Sequence, residues 1–217
     1  MSKIAFIYPG QGAQYIGMGQ EFYEQTKTGK KTFDKASELL GFSMPDLCFK
    51  ENDQLNITEY TQAAMVTVSI AMTKVLNELG VFADVTAGLS LGEYAALFAA
   101  GVMCEEDAIT VVRQRGILMQ EAVPAGIGAM AAILALDNET IENVTKDIEG
   151  VWIANYNCPG QTVISGKKEA VALACEKLKE AGAKRTLPLN VSGPFHSGML
   201  VQAGEKLGKV LEGVSLN

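Results

Sequence analysis

The stretch Val85-Thr86-Ala87-Gly88-Leu89-Ser90-Leu91-Gly92-Glu93-Tyr94 decides how this chain folds. Val85 to Ala87 reads as a buried strand, Glu93 to Ala100 as a helix that Gly101 stops, and Gly88-x-Ser90-x-Gly92 as the turn between them. Small residues on either side of a serine suit a strained strand-to-helix turn that exposes the hydroxyl and aims the next backbone N–H at an acyl oxygen. Ser90 is then a candidate nucleophile and the Leu91 N–H a candidate oxyanion donor. Upstream, Lys3 to Tyr8 reads as a buried first strand ending in Pro9-Gly10-Gln11-Gly12, a turn that lacks both the Lys-Ser/Thr of a phosphate loop and the spacing of a dinucleotide turn. Such a turn can instead present the Gln11 N–H as a second oxyanion donor.

A serine hydroxyl is a poor nucleophile at neutral pH and needs a base within hydrogen-bond reach. The chain has one histidine, so if Ser90 has a histidine base it is His196, in the Gly/Pro turn Ser192-Gly193-Pro194-Phe195-His196-Ser197. Thr61 to Leu79 is helical in length and apolar nearly all round, the mark of a helix inside a domain. A helix from Glu105 to about Ala122 opens with three carboxylates, where the helix dipole favours them. On it Ala108, Val111, Val112, Leu118, Met119 and Ala122 surround Arg115 at helical spacing, so a guanidinium sits on an apolar stripe. That charge cannot be shed, and its burial calls for an anion, either a structural carboxylate or the carboxylate of a substrate. Arg113, on the neighbouring face, reads as an ordinary surface or C-terminal helix charge.

Beyond a boundary at about 124 to 128 the pattern is strand, helix, strand, strand, helix, strand as far as Leu189, the βαββαβ order of a ferredoxin-like plait. The expected fold is α/β, with a larger lobe at 1–125 and 191–217 and the plait inserted at 126–190. Only about two strands are legible in the larger lobe, fewer than a parallel sheet usually has, so part of it is expected to be missing through C-terminal truncation.

At 217 residues, 48% hydrophobic and 20% charged, the chain can bury a sizeable core. A net charge of −7 without a basic run argues against nucleic acid as a partner. The most apolar region, Leu79 to Cys104, is broken by Asp84 and Glu93, so no membrane span is expected. The N-terminal apolar run stops at Pro9-Gly10, too short for a signal-peptide core, and a cytoplasmic location is expected. Cys48, Cys104, Cys158 and Cys175 lack ligand spacing, so free thiols and no metal are expected.

Read together, Pro9-Gly10-Gln11-Gly12, Thr61-Gln62, Gly88-x-Ser90-Leu91-Gly92-Glu93-Tyr94, Arg115-Gly116, Gly126-x-Gly128-Ala129-Met130, Asn155-x-Asn157-x-Pro159-Gly160-Gln161 and Pro194-Phe195-His196-Ser197 closely resemble the malonyl-CoA:acyl carrier protein transacylases. The resemblance covers essentially the whole chain. It implies a hydrolase-like large subdomain with a ferredoxin-like insertion, and a ping-pong transfer of malonyl from malonyl-CoA through Ser90 to the phosphopantetheine thiol of acyl carrier protein. His196 would accept the serine proton, Gln11 and Leu91 would hold the oxyanion, and Arg115 would pair with the malonyl carboxylate. Gln62, Asn155 and Asn157 would line the pocket, and no cofactor would be needed. Phe195, before the histidine, goes with a preference for malonyl. Two departures stand out: Leu89 occupies the place of a usual histidine, and Ala63 that of a usual proline. The family's C-terminal part would orient the histidine. Two other readings stay open, a serine hydrolase or thioesterase on the same elbow and a non-catalytic fragment that requires a complementary C-terminal chain. Acyl carrier proteins are acidic as a family, and Lys177, Lys184 and Arg185 are the expected docking patch.

Overall fold

The computed structural model describes residues 3–124, 126–189, 191 and 193–217. Ala125, Asn190 and Ser192, in the expected boundaries and the histidine turn, lie outside the described residues, as do Met1 and Ser2.

The chain divides into two compact units, one of residues 1–117 and 207–217 and one of residues 118–206. In the first, strand β1 (Ala5–Tyr8) is followed by helices α1 (Gln20–Gln25), α2 (Lys27–Leu40), α3 (Met44–Phe49) and α4 (Thr58–Glu78). Strand β2 (Val85–Gly88), helix α5 (Gly92–Ala99) and helix α6 (Glu105–Ala122) complete the run, and α6 continues into the second unit. β1 and β2 pair in parallel, from Ala5 opposite Val85 to Tyr8 opposite Gly88. The Leu89 N–H carries the ladder one step further by donating to the Tyr8 carbonyl at 3.0 Å.

α4 is buried along most of its length, as its apolar composition requires. Phe33 of α2, Met44 of α3, Ile70 of α4 and Ile109 of α6 form the centre of this unit's core and are almost fully buried. In the helices between residues 20 and 49, α2 buries Gly29, Thr32, Phe33 and Ala36 along one face, and the caps of α2 and α3 are legible. Thr26 accepts from the Gly29 N–H and Ser43 from the Asp46 N–H, with Pro45 in the first turn of α3. The carboxylates that open α6 do more than complement its dipole. Glu105 pairs with Lys74 of α4 at 2.9 Å, and Glu106 pairs with Lys35 of α2, whose ammonium holds its carboxyl below the usual range.

The expectation of two buried strands is corrected. Ile7 is 77% and Val85 56% exposed, because a two-stranded sheet leaves flanks that no further strand or helix covers among the described residues.

The second unit holds strand β3 (Gly128–Leu134), helix α7 (Asn138–Thr145), strands β4 (Val151–Cys158) and β5 (Gln161–Lys167), helix α8 (Lys168–Glu180) and strand β6 (Arg185–Pro188). A turn then leads to helix α9 (Val201–Leu211), which ends in the first unit. Its antiparallel sheet has the order β4-β5-β3-β6, so the two consecutive strands β4 and β5 pair while β3 lies between β5 and β6. Ile133, Ile141, Ile164 and Leu178 fill the space between this sheet and its two helices. Met119, on the last turns of α6, packs in a second cluster with Met130, Val163 and Phe195, which explains why the end of α6 belongs with this unit.

All four cysteines are free thiols, Cys48 is buried, and burial pushes its thiol up to about 12. Iodoacetamide at pH 8 is expected to alkylate the exposed Cys104 and Cys158 and to spare Cys48 until denaturant is added. Peptide mass mapping reads the outcome, and rapid labelling of Cys48 in the folded chain would contradict the packing of α3.

Candidate functional site

The elbow is built by contact as much as by conformation. A methyl group on Gly88 would lie 2.1 Å from the Gly92 carbonyl carbon, and one on Gly92 would lie 2.4 Å from the Tyr8 carbonyl oxygen. Only hydrogen fits at either place, so the start of α5 can press against the end of β1 and the turn closes around Ser90. The serine itself has φ of 54°, in the left-handed region that a non-glycine residue enters at a cost of order 1–3 kcal/mol. Leu91, 1% exposed, caps α5 and anchors the turn in the core. The first N–H groups of a helix have no acceptor within it, which leaves this end electropositive.

The Gln11 turn lies beside the elbow, because a Cβ on Gly10 would meet the Leu89 carbonyl at 3.0 Å. The Gln11 side-chain amide donates to the Thr58 hydroxyl at 3.3 Å, which ties the turn to the first turn of α4. Thr58 is a residue that sequence reasoning missed. Its one signal is its place at the start of a long apolar helix.

Arg115 is 9% exposed, and burial pushes its guanidinium below the ordinary arginine value, with Tyr94 and Glu93 opposing. Its Nη1 donates to the Gln62 Oε1 at 2.6 Å and its Nη2 to the Ser90 Oγ at 3.0 Å, and its Cζ lies 5.9 Å from the centre of the Tyr94 ring. Among the described residues no carboxylate forms an ion pair with it. Of the two anions the sequence left open, the structural one is therefore absent from these residues. The structure brings Ser90, Arg115 and Gln62 together, with Gln11 and Leu91 on the turns that adjoin the serine.

Arg113 is corrected from a surface charge to a mostly buried one. Its side chain is 16% exposed, pairs with the Glu59 carboxylate at 2.7 Å and lies 4.2 Å over the Tyr60 ring.

His196 is described with the second unit. Its φ is 55° and its side chain is exposed, in a turn where the buried Ser197 hydroxyl donates to the Pro194 carbonyl at 2.7 Å. Asn155 and Asn157 lie on β4 at its two register shifts, and Asn157 donates to the Gln161 side chain at 3.2 Å.

A parallel strand pair running into a serine elbow defines an α/β architecture of the hydrolase-like kind. The chain belongs to the acyl transferase domain family, which it matches over residues 5–216. A malonyl CoA-acyl carrier protein transacylase of Bacillus subtilis (strain 168) is 52% identical over 217 aligned residues, 98% of this chain and 68% of that protein. A Staphylococcus aureus (strain MRSA252) protein of the same name is 43% identical over 205 residues, 92% of this chain and 66% of its own length. The chain thus spans about two thirds of these relatives. Among solved structures, an acyl carrier protein S-malonyltransferase from Vibrio cholerae matches with a TM-score of 0.95 at 45% identity, over 100% of this chain and 72% of that one. A malonyl-transacylase solved in complex with a type II PKS acyl-carrier protein also matches with a TM-score of 0.95, at 43% identity over the same shares.

A buried guanidinium whose acceptors are an amide and a hydroxyl predicts non-additive energetics. Gln62→Leu alone is expected to destabilise the chain by about 1–3 kcal/mol, whereas Gln62→Leu with Arg115→Met is expected to restore most of that loss. Urea denaturation of the two single variants and the double variant gives the coupling. Additive losses would show that the pair is not an electrostatic unit.

Proposed function

We propose that this chain carries the acyl-transfer site of a malonyl-CoA:acyl carrier protein transacylase, with Ser90 as nucleophile and His196 as base. One observation carries the reading: a buried arginine, held by Gln62, hydrogen-bonds to the serine of a nucleophile elbow without a carboxylate partner among the described residues. A cation kept there gains a partner when an acyl group arrives with a carboxylate at its far end, and malonyl is such a group. The names of the relatives agree with this.

In the first half-reaction the Ser90 Oγ attacks the thioester carbonyl of malonyl-CoA while its proton passes to the His196 imidazole. The Gln11 and Leu91 backbone N–H groups stabilise the oxyanion, the carbon–sulfur bond breaks, and the CoA sulfur leaves with the proton from the imidazolium. In the second, the phosphopantetheine thiol of acyl carrier protein gives its proton to His196 and attacks the malonyl-serine ester, the ester carbon–oxygen bond breaks, and the Ser90 Oγ leaves with the proton from the imidazolium. Side chains and thioesters suffice, and no cofactor or metal takes part. No helix among the described residues is long and apolar enough to cross a membrane. With soluble substrates on both sides of the reaction, a cytoplasmic location follows from the reading.

Incubation with malonyl-CoA is expected to add one malonyl group to the chain by intact mass, and Ser90→Ala is expected to abolish the adduct. A folded chain that gains no adduct would sink the proposal, and rapid hydrolysis of malonyl-CoA without an acceptor thiol would favour a thioesterase. For the second half-reaction, Lys177, Lys184 and Arg185 are exposed on the second unit and offer an acidic carrier protein a local positive patch. Charge reversal of Lys184 and Arg185 is expected to weaken carrier-protein binding about tenfold at low salt and far less at high salt. Titration calorimetry at two ionic strengths measures both, and unchanged affinity at low salt would remove the patch from the reading.

A further inference from the structure

Arg113 and Arg115 are two positions apart on α6, so their side chains leave the helix about 200° apart. Both nevertheless end on α4. Arg115 reaches Gln62, and Arg113 reaches Glu59, almost one turn earlier on the same helix. Between them the helix backbones meet at Gly116, where a Cβ would lie 2.6 Å from the Glu59 Cα and 3.1 Å from the Thr58 carbonyl oxygen. Tyr60 and Phe42, themselves in edge contact with ring centres 5.3 Å apart, present their rings to the Arg113 guanidinium at 4.2 and 5.5 Å.

We infer that Glu59 and Arg113 are positioning residues that set how strongly the site prefers a carboxylate-bearing acyl group over a neutral one. The inference rests on the carboxylate-binding role proposed above for Arg115. Two helices in contact at a glycine have no side chain there to stop one from rotating or sliding on the other. The Glu59–Arg113 pair supplies that stop. Its charges are largely shielded from water, its guanidinium is planar and stacked, and Arg113 Nη1 is buried without a hydrogen-bond partner, a cost accepted in exchange for a fixed orientation. With α4 fixed against α6, the Gln62 Oε1 meets Nη1 of Arg115 at 2.6 Å, and the guanidinium is turned so that Nη2 faces Ser90. A small rotation of α4 would move Gln62 and let Arg115 swing away from the line on which a malonyl carboxylate must lie. Misplacement by about 1 Å can cost on the order of a hundredfold in rate at a positioned group.

The test compares Glu59→Gln, Arg113→Met and Arg113→Lys with the unmodified chain. Acylation of Ser90 by malonyl-CoA and by acetyl-CoA is followed by intact mass, with KM and kcat resolved for each donor. Glu59→Gln and Arg113→Met are expected to lower the malonyl-to-acetyl ratio of kcat/KM about tenfold, mainly through KM for malonyl-CoA, and Arg113→Lys is expected to recover part of it. Equal losses with both donors would reduce the pair to packing, and an unchanged ratio would overturn the inference while leaving the proposed function intact. If the unmodified chain takes malonyl no better than acetyl, the proposed function falls and the inference falls with it. Glu59→Gln keeps the shape of the side chain, so it decides the matter even if Arg113→Met does not fold.

Discussion

The site is organised around a positive charge that is largely shielded from water. A guanidinium in an apolar wall is costly, and it cannot lower that cost by losing its proton. Everything next to Arg115 answers this: Gln62 accepts from one nitrogen, Ser90 from another, and the Tyr94 ring lies within cation–π reach. None of these neutralises the charge. The protein thus holds an electrostatic deficit beside Ser90, and the ligand that corrects it is also the one it is proposed to process.

That deficit constrains the fold around it. Arg115 lies on α6, Gln62 on α4 and Ser90 at the head of α5, so the three helices must keep their mutual geometry to within a hydrogen bond. The start and the middle of α6 are held separately. Glu105 and Glu106 tie its start to Lys74 and Lys35, and Gly116 lets its middle touch α4 backbone to backbone. The large apolar residues of the core fill the volume between these helices, while the polar pairs set their rotation.

The elbow was legible in the sequence because Gly88 meets the Gly92 backbone only four residues on, although Gly92 itself is fixed by Tyr8, far away in the chain. α4 was legible because it is apolar all round, and part of the strand and helix order after residue 128 because Asp137, Pro159-Gly160 and Gly182 mark element ends. Readings that depended on distant neighbours fared differently. A short apolar run such as Ala5 to Tyr8 is the same run whether a helix covers it or not, so its exposed flank could not be foreseen. Arg113 looked like a surface charge because its partners, Glu59, Tyr60 and Phe42, lie more than fifty residues away in the chain. The burial of Arg115 was foreseen from its apolar stripe, but its pairing with Gln62 joins two helices whose register no local pattern contains.

The backbone at Ser90 has a further implication. With φ at 54° it occupies a region in which glycine is at ease, and its neighbours Gly88 and Gly92 are already glycines for want of space. Selection for stability alone would fill all three positions with the same residue and produce a relaxed, inert turn. On the proposed reading, the hydroxyl is kept for its chemistry at a backbone cost that glycine would avoid.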